Sequence, residues 1–310
     1  MRIIVTGAAG FIGYHLCLTL LHAGHEVIGI DNFYTGSKGN IEELGKLPGF
    51  QFIESDVRHE IDDDGSSIGQ IYHLACPASP VYYQKDPLFT LDTCYLGTRN
   101  VLEFARKKSA GVLIASTSEI YGDPDVHPQE EMYRGRVNTW GPRSCYDEGK
   151  RIAESLAFEY QNCFSVKVRV ARIFNTYGPN MNRADGRVMT NLILSALQKK
   201  PMTIYGTGRQ TRSFCFISDQ IEGLIQLMNS SCNFPVNLGN PEEVSILEVA
   251  HIIKELTHSD SSYEFYPLPV DDPRMRCPDI TRAKQLLQWS PQVSLRQGLE
   301  KMIRYYEQPL

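Results

Sequence analysis

The sequence lacks the features that mark several classes of protein. It has no run of about 18 apolar residues, so we expect no membrane-spanning helix. Its 31 basic residues do not outnumber its 36 acidic ones, which argues against a nucleic-acid-binding protein. The eight cysteines are scattered without a C-x-x-C pair, so neither a zinc site nor a disulfide framework is expected. Unpaired thiols fit a reducing compartment, and we predict a cytoplasmic protein without a bound metal.

The 310 residues instead have the composition of a globular protein, with 42% hydrophobic and 22% charged residues. In the first half of the chain, β-branched runs alternate with helical stretches. We predict strands over residues 2–7, 26–31, 50–57, 69–75, 111–118 and 166–174, and helices over 11–24, about 89–108 and 147–163. This alternation is typical of an α/β fold, a Rossmann-like doubly wound parallel sheet with helices on both faces.

After residue 174, prolines separate shorter elements. We predict helices near 188–199, 218–229, 245–257 and 294–307, and a buried strand over 235–239 that rejoins the first sheet. The chain is therefore divided into a Rossmann domain over 1–174, rejoined by about 212–240, and a smaller substrate-binding lobe over 175–211 and 241–310.

A glycine-rich turn joins the first strand to the first helix. It reads T-G-A-A-G-F-I-G and places Gly7, Gly10 and Gly13 where a pyrophosphate needs a tight turn and close approach of the backbone. The spacing is G-x-x-G-x-x-G rather than the G-x-G-x-x-G of many dinucleotide sites. Asp31 closes the second strand, where a carboxylate accepts hydrogen bonds from ribose and repels a 2′-phosphate. The pattern predicts NAD rather than NADP.

We expect the cofactor to extend from this turn along the ends of the neighbouring strands. Asp56 is a candidate contact to the adenine, although an ordinary turn residue at a strand end explains it almost as well. The predicted cofactor-binding residues are Gly7, Gly10, Phe11, Ile12, Gly13, Asp31, Asn32, Asp56, Val57, Leu74, Tyr146 and Lys150.

A candidate catalytic pair opens the helix predicted over 147–163. Tyr146 and Lys150 are four residues apart, which puts them on one helix face, and a nearby ammonium lowers the pKa of a phenol. The same spacing recurs at Tyr34 and Lys38, in a Gly/Ser turn after Asp31 that we interpret as a loop beside the cofactor. We favour the pair at 146–150 because it follows the fifth strand, whose carboxyl end is where such sheets place their chemistry.

Longer segments carry a more specific signal. They read HLACPASP (73–80), ASTSEIYGDPDVHPQ (115–129), GPRSCYDEGKR (141–151), RVARIFNTYGP (169–179), DGRV (185–188), YGTGRQTRSF (205–214), VNLGNPEE (236–243) and RCPDI (276–280). Over essentially its full length the chain resembles the extended short-chain dehydrogenases/reductases. Within that superfamily it most resembles the UDP-glucuronate decarboxylases, which form UDP-xylose.

The resemblance implies NAD-dependent decarboxylation of UDP-glucuronate through a 4-keto sugar, with NAD regenerated in each cycle. By the same resemblance, Tyr146 and Lys150 act at the C4 hydroxyl, Thr117 orients that hydroxyl, Ser118 and Glu119 stand near C5, and Arg276 steers the sugar carboxylate. The substrate-binding residues implied are Asn175, Arg187, Asn191, Tyr205, Arg212 and Arg276. A homodimer that joins the helices near 89–108 and 147–163 is also implied.

Two positions separate related reactions. The 4,6-dehydratases carry Asp-Glu where this chain has Ser118-Glu119, and a serine is a poor acid for expelling a hydroxyl. The 4-epimerases usually lack an acid at position 119. A 4-epimerase, a 4,6-dehydratase, or an oxidative decarboxylase that releases a 4-keto sugar nevertheless stays open as an alternative. A nucleotide-sugar-binding protein without catalysis is the alternative from another class.

Four residues depart from the pattern of the family. Asp92 and Cys94 stand where a lysine and an asparagine are common, and Cys76 replaces a serine. Trp140 lies beside the segment 141–151, where it either packs on a loop or reshapes the sugar pocket. These changes leave the cofactor half intact and make the identity of the sugar the open question. For Asp92 we favour a side chain that is paired or turned away from the sugar over an altered substrate.

Overall fold

The computed structural model describes residues 1–62, 65–271 and 275–308. The strands are β1 (Arg2–Thr6), β2 (Glu26–Asp31), β3 (Phe50–Glu54), β4 (Gln70–His73), β5 (Gly111–Thr117), β6 (Val168–Ile173), β7 (Thr176–Tyr177), β8 (Met202–Tyr205), β9 (Thr211–Ser213), β10 (Cys215–Phe216), β11 (Val236–Leu238), β12 (Glu243–Ser245) and β13 (Tyr263–Tyr266). The helices are α1 (Phe11–His22), α2 (Lys38–Leu44), α3 (Pro80–Tyr83), α4 (Pro87–Asp92), α5 (Thr98–Lys108), α6 (Ser144–Phe164), α7 (Val188–Leu197), α8 (Ile217–Asn229), α9 (Ile246–Thr257), α10 (Thr281–Leu287) and α11 (Leu295–Glu307).

Seven strands form one parallel sheet in the order β11-β6-β5-β4-β1-β2-β3. Its strands are apolar on both faces, as expected where helices cover both sides. Ile3 and Val5 of β1 point into the core under α1 and α8, whereas Ile4 joins the core under α5 and α6. This doubly wound sheet confirms the predicted fold class.

The C-terminal elements form a smaller lobe with three two-stranded pairs, β7 with β10, β9 with β12, and β8 with β13. The hydrophobic cluster that covers one face of the main sheet continues without a break into this lobe and includes Trp289 and Tyr306. Strand β11 returns from the lobe and pairs in parallel with β6 along residues 236–238. The two units therefore share a core.

The predicted long helices in the C-terminal half match α7, α8, α9 and α11 to within two residues at each end. The helix predicted over about 89–108 is confirmed as a continuous helical segment, in which a π-helical turn at Thr93–Gly97 joins α4 to α5. The third strand ends at Glu54 rather than at residue 57, because the Asp56 carboxylate accepts a hydrogen bond from the backbone N–H of Arg58 and forms a turn.

Candidate active site

The glycine turn has the shape that a pyrophosphate requires. Gly7 has φ +76°, a conformation that favours glycine. A Cβ on Gly13 would lie 2.0 Å from the Gly7 carbonyl oxygen, so the first turn of α1 closes on the loop only with glycine there. Because the N-terminus of α1 exposes backbone N–H groups next to this loop, the turn is suited to an anion.

An open cleft begins at this turn and runs over the carboxyl ends of the strands. Seven of the predicted cofactor-binding residues line it, namely Gly7, Gly10, Asp31, Asn32, Asp56, Val57 and Leu74. Phe11, Ile12 and Gly13 form the first turn of α1, and the side chains of Phe11 and Ile12 pack on the core. The first turn of α1 therefore contributes its backbone to this end of the cleft.

Asp31 is held in place by the loop around it. Its Oδ2 accepts a hydrogen bond of 3.0 Å from the N–H of Ala9, and its Oδ1 accepts one of 2.8 Å from the N–H of Phe33. Burial raises the pKa of Asp31, while these backbone donors lower it. The carboxylate is thus oriented at the cleft by donors on both sides, and its remaining lone pairs are available to a ribose.

Aromatic and charged groups form the outer wall of the cleft. Asp56 accepts hydrogen bonds from Asn32 and from Arg58, and the Arg58 guanidinium lies 4.2 Å from the centroid of the Phe89 ring. Phe89 in turn stacks on Tyr34 with ring centroids 4.4 Å apart. Tyr34 thus lies in a loop beside the cleft, as we predicted for the second Tyr-x-x-x-Lys match. Asp56 is occupied by Arg58, and the Phe89 ring is covered by Arg58 and Tyr34.

Tyr146 and Lys150 project from one face of α6 and are both buried. The Lys150 ammonium donates to the Ala115 carbonyl oxygen at 2.8 Å and lies 5.8 Å from the centroid of the Tyr146 ring. The pKa of Tyr146 is raised rather than lowered, because burial dominates, the charge of Cys76 adds to it, and the Thr117 hydroxyl opposes it only in part. The prediction that the pKa of Tyr146 is lowered is therefore wrong.

Glu119 lies between two arginines. Its Oε2 accepts a hydrogen bond of 2.5 Å from Arg143, and its Oε1 accepts one from Arg276. Burial alone raises the pKa of Glu119, but the two guanidinium groups outweigh that effect and lower it to about 2. Arg276 is only 4% exposed, and its second terminal nitrogen, Nη2, has no hydrogen-bond partner among the residues that the structure describes. A buried donor without a partner is costly, so this nitrogen marks a place for an anion.

Asp147 completes this charged cluster. Its Oδ2 lies 4.0 Å from Nε of Arg143, and its Oδ1 has no hydrogen-bond partner within the described part of the chain, although the residue is only 6% exposed. Burial, followed by the charge of Glu119, raises the pKa of Asp147 to about 7. The cluster therefore contains two cations, one firmly ionised carboxylate and one carboxyl group that titrates near neutral pH.

The other candidate residues lie at the ends of the C-terminal elements. Ser118 is buried in the 3-10 turn that carries Glu119. The half-buried Arg187 precedes α7 and donates a hydrogen bond to Asp185. The charge of Tyr146 contributes to the raised pKa of Arg187, so Arg187 lies near the catalytic pair. The other four candidates are Asn175 and Asn191, which donate to the carbonyl oxygens of Ser213 and Gly186, the exposed Tyr205 on β8, and the buried Arg212 on β9.

Two of the departures from the family pattern lie outside the reacting centre. Trp140 is 95% exposed, so the expectation that it packs on a loop is wrong, whereas a role in shaping the sugar pocket stays a prediction; its backbone N–H donates to Asn138. Asp92 is exposed at the end of α4. The pKa of Arg58 is raised mainly by its hydrogen bond with Asp56, with Asp92 contributing, which places Asp92 on the outer side of the cleft.

Three residues of the site were not predicted from the sequence. Arg143 and Asp147 lie within the segment 141–151, and their spacing of four residues on the helix was the available signal. Tyr83 stacks on Tyr146 with ring centroids 5.0 Å apart and an angle of 3° between the rings. Nothing in the local sequence around α3 indicates this stacking, because α3 and α6 meet only in the folded chain.

The described residues contain no group of three or more histidine, cysteine or acidic side chains that could hold a metal ion. Within the same residues, no helix is both long and apolar enough to cross a membrane.

The fold and the Tyr146–Lys150 pair define the class of protein. A family model described as GDP-mannose 4,6 dehydratase matches residues 4–302, and the chain belongs to this family of extended short-chain dehydrogenases/reductases. It is 52% identical over 309 residues to UDP-glucuronic acid decarboxylase 1 of Danio rerio, covering 100% of this chain and 73% of that protein. It is 51% identical over 303 residues to UDP-glucuronic acid decarboxylase 1 of Arabidopsis thaliana, covering 98% of this chain and 69% of that protein.

Two solved structures are similar over 99% of both chains. One is UDP-glucose 4-epimerase of Thermotoga maritima with UDP-glucose, with a TM-score of 0.91 and 26% identity. The other is UDP-glucuronic acid 4-epimerase of Bacillus cereus in complex with UDP-glucuronic acid and NAD, with a TM-score of 0.88 and 31% identity.

Proposed function

We propose that the chain is an NAD-dependent decarboxylase that converts UDP-glucuronate into UDP-xylose. The observation that carries this proposal is the charged cluster beside Tyr146, in which Arg276 holds Glu119 and has a second buried donor that no described residue pairs. A sugar carboxylate pairs with that donor as an anion with a cation, which is stronger than the hydrogen bond that a neutral sugar hydroxyl accepts. The identity of about half of all residues with two decarboxylases supports the same reaction.

The cleft over the strand ends fits NAD. The turn at Gly7 and Gly13 leaves no room for a Cβ against the backbone, and Asp31 presents its carboxylate to the cleft. A negative charge at Asp31 disfavours the 2′-phosphate of NADP. When bound, NAD supplies the acceptor for the hydride of C4 and returns that hydride at the end of the cycle.

Tyr146 takes the proton of the C4 hydroxyl, and Thr117 orients that hydroxyl. The phenol lies at the N-terminal end of α6 and is fixed by its stacking on Tyr83. The Thr117 hydroxyl lowers the pKa of Tyr146 against the effect of burial, and so favours the phenolate that accepts this proton. We propose that Lys150, whose ammonium lies 5.8 Å from the centroid of the Tyr146 ring, also favours the phenolate through its positive charge.

Oxidation at C4 makes the sugar a β-keto acid, whose C–C bond to the carboxylate breaks as carbon dioxide leaves and the electron pair moves into the C4 ketone. Arg276 Nη2 binds the carboxylate before this step and holds the breaking bond in a productive orientation. Ser118 and Glu119 lie on the neighbouring 3-10 turn and face C5. C5 then takes up one proton in place of the lost carboxylate.

We propose that different parts of the chain bind the cofactor and the substrate. Residues 1–174, together with about 212–240, hold the cofactor, and residues 175–211 and 241–310 hold the UDP-sugar. Arg187, Arg212, Asn175, Asn191 and Tyr205 are the proposed contacts to the nucleotide. Arginines suit this role because the guanidinium fork binds two phosphate oxygens at once.

We infer a cytoplasmic homodimer. All eight cysteines are free thiols, as in proteins of a reducing compartment. On α6, Ala153 and Ala157 are buried in the chain's own core, but Ile152 is exposed, and Leu91 and Tyr95 beside α6 are exposed as well. A second copy would cover these side chains. Light scattering tests this, because a particle of 35 kDa at micromolar concentration contradicts the dimer.

The function is tested by incubating the purified protein with UDP-glucuronate and measuring product mass and NADH. The proposal predicts loss of carbon dioxide without accumulation of NADH. Decarboxylation with stoichiometric NADH identifies an oxidative decarboxylase, unchanged mass with an altered C4 configuration an epimerase, and loss of water a dehydratase. No product in a folded protein that binds UDP-glucuronate identifies a binding protein, and each of these four results contradicts the proposal.

A further inference from the structure

Two thiols meet behind the catalytic pair. The Sγ atoms of Cys76 and Cys94 lie 3.4 Å apart. Cys76 follows β4, lines the cofactor cleft and is partly exposed, whereas Cys94 lies in the π-helical turn and is 2% exposed. The reaction proposed above uses neither thiol, so the pair is available for another chemistry.

We propose that Cys76 and Cys94 form an oxidative modification site, at which a hydroperoxide converts the two thiols into a disulfide that lowers turnover. The Cys76 thiolate attacks one peroxide oxygen, the O–O bond breaks, and a sulfenic acid forms. The Cys94 thiol then attacks the Cys76 sulfur, the S–S bond forms, and water leaves. The two thiols together lose two electrons and two protons. With hydrogen peroxide as the oxidant, the products are one disulfide and two molecules of water.

The surroundings give the two sulfurs different roles. The hydrogen bond with Cys94 lowers the pKa of Cys76 to about 7 against the effect of burial, and the charge of Lys150 contributes. The same hydrogen bond and burial raise the pKa of Cys94. Cys76 is therefore the thiolate that meets the oxidant in the cleft, and Cys94 is the resolving thiol behind it.

A bridge would disturb the catalytic pair through direct packing. A disulfide shortens the Sγ–Sγ distance from 3.4 Å to about 2.05 Å, which draws the π-helical turn and the end of β4 together. Cys94 packs closely on α6, because a Cβ on Gly149 would lie 2.9 Å from its Sγ. Gly149 precedes Lys150, so the movement reaches the lysine through the backbone. Thr93, beside Cys94, also lines the cofactor cleft.

The experiment treats the full-length reduced protein with hydrogen peroxide and maps its peptides without reduction. We expect a mass loss of about 2 Da, a peptide that links Cys76 to Cys94, and a fall in turnover of about 10–100-fold that dithiothreitol reverses. The magnitude follows from the effect of an ångström-scale displacement at a catalytic group. The peptide map needs no substrate, so it shows whether the disulfide forms even if the proposed decarboxylation is wrong.

Cys94→Ser is the main variant, because it keeps the size of a buried side chain, and Cys76→Ser at the partly exposed position is the second. Each is compared with its own reduced sample, and neither should form the linked peptide or a loss that dithiothreitol reverses. Cys163→Ser is the matched control, since Cys163 is exposed on α6 far from the cleft and should leave both responses intact. The proposal is overturned if Cys163 is fully oxidised without a Cys76–Cys94 link, or if the link forms and turnover is unchanged.

Discussion

Asp147→Asn should stabilise the fold by an amount that grows with pH. In the folded chain the pKa of Asp147 rises from 3.8 to about 7, because the carboxyl group is buried and Glu119 repels its charge. Arg143 and Arg276 oppose this rise, and Glu148 adds to it. Between the two pKa values the folded protein binds the proton more tightly than the unfolded chain does. Its stability therefore falls as pH rises through this window, and the full loss is present above pH 7.

The size of the effect follows from the shift in pKa. One pKa unit corresponds to 1.36 kcal/mol, so the buried carboxyl group costs about 4 kcal/mol at pH 8, where it is ionised in both states, and about 2 kcal/mol at pH 5.5, where it takes up a proton on folding. An asparagine keeps the shape of the side chain without the charge. The free energy of unfolding of the variant should exceed that of the wild type by about these amounts, so the advantage grows by roughly 2 kcal/mol between the two pH values. Glu119, with a pKa of about 2, stays ionised in this range and contributes equally to both proteins.

Urea unfolding at pH 5.5 and pH 8 measures the difference. Asp260→Asn, at an exposed aspartate, controls for the loss of one negative charge. An Asp147 variant that is no more stable than the wild type at pH 8, or whose advantage does not depend on pH, would refute the assignment of an unfavourable buried carboxylate. A stabilised variant with impaired turnover would indicate that the charge is retained for function.

Three further substitutions test the site. Tyr146→Phe removes only the hydroxyl, so turnover should fall by at least about 10²-fold while NAD still binds, and near-normal turnover of a folded variant contradicts its role in proton transfer. Arg276→Ala should weaken binding of UDP-glucuronate by roughly 1.5–3 kcal/mol and leave UDP unchanged; equal losses in calorimetry would show that Arg276 does not contact the carboxylate. Asp92→Lys should leave turnover of UDP-glucuronate within a few fold, because Asp92 is exposed on the Arg58 side of the cleft. A gain of about tenfold, equivalent to 1.4 kcal/mol, would show that Asp92 acts on the sugar.

The strand and helix pattern of this chain follows from the sequence because it is a local property. The β-branched runs, the turn at Gly7 and the spacing of Tyr146 and Lys150 depend on neighbouring residues, and the alternation of elements then leads to a parallel sheet. The strand β11 was predicted for the same reason, since a short apolar run between turns suits only a buried position. The π-helical turn was missed because it inserts into a segment whose helical spacing continues on both sides.

Sequence alone therefore determined the order of the elements, the phosphate-binding turn and the faces on which the catalytic pair lies. The tertiary structure determined which charged groups meet and how their pKa values shift. Arg276 meets Glu119 across 157 positions of the chain, and Cys76 meets Cys94 because β4 packs beside the π-helical turn. Burial reversed the expected shift in the pKa of Tyr146 and gave Asp147 a pKa near neutrality. Desolvation and long-range contacts depend on what surrounds a residue in space, and no pattern along the chain contains that information.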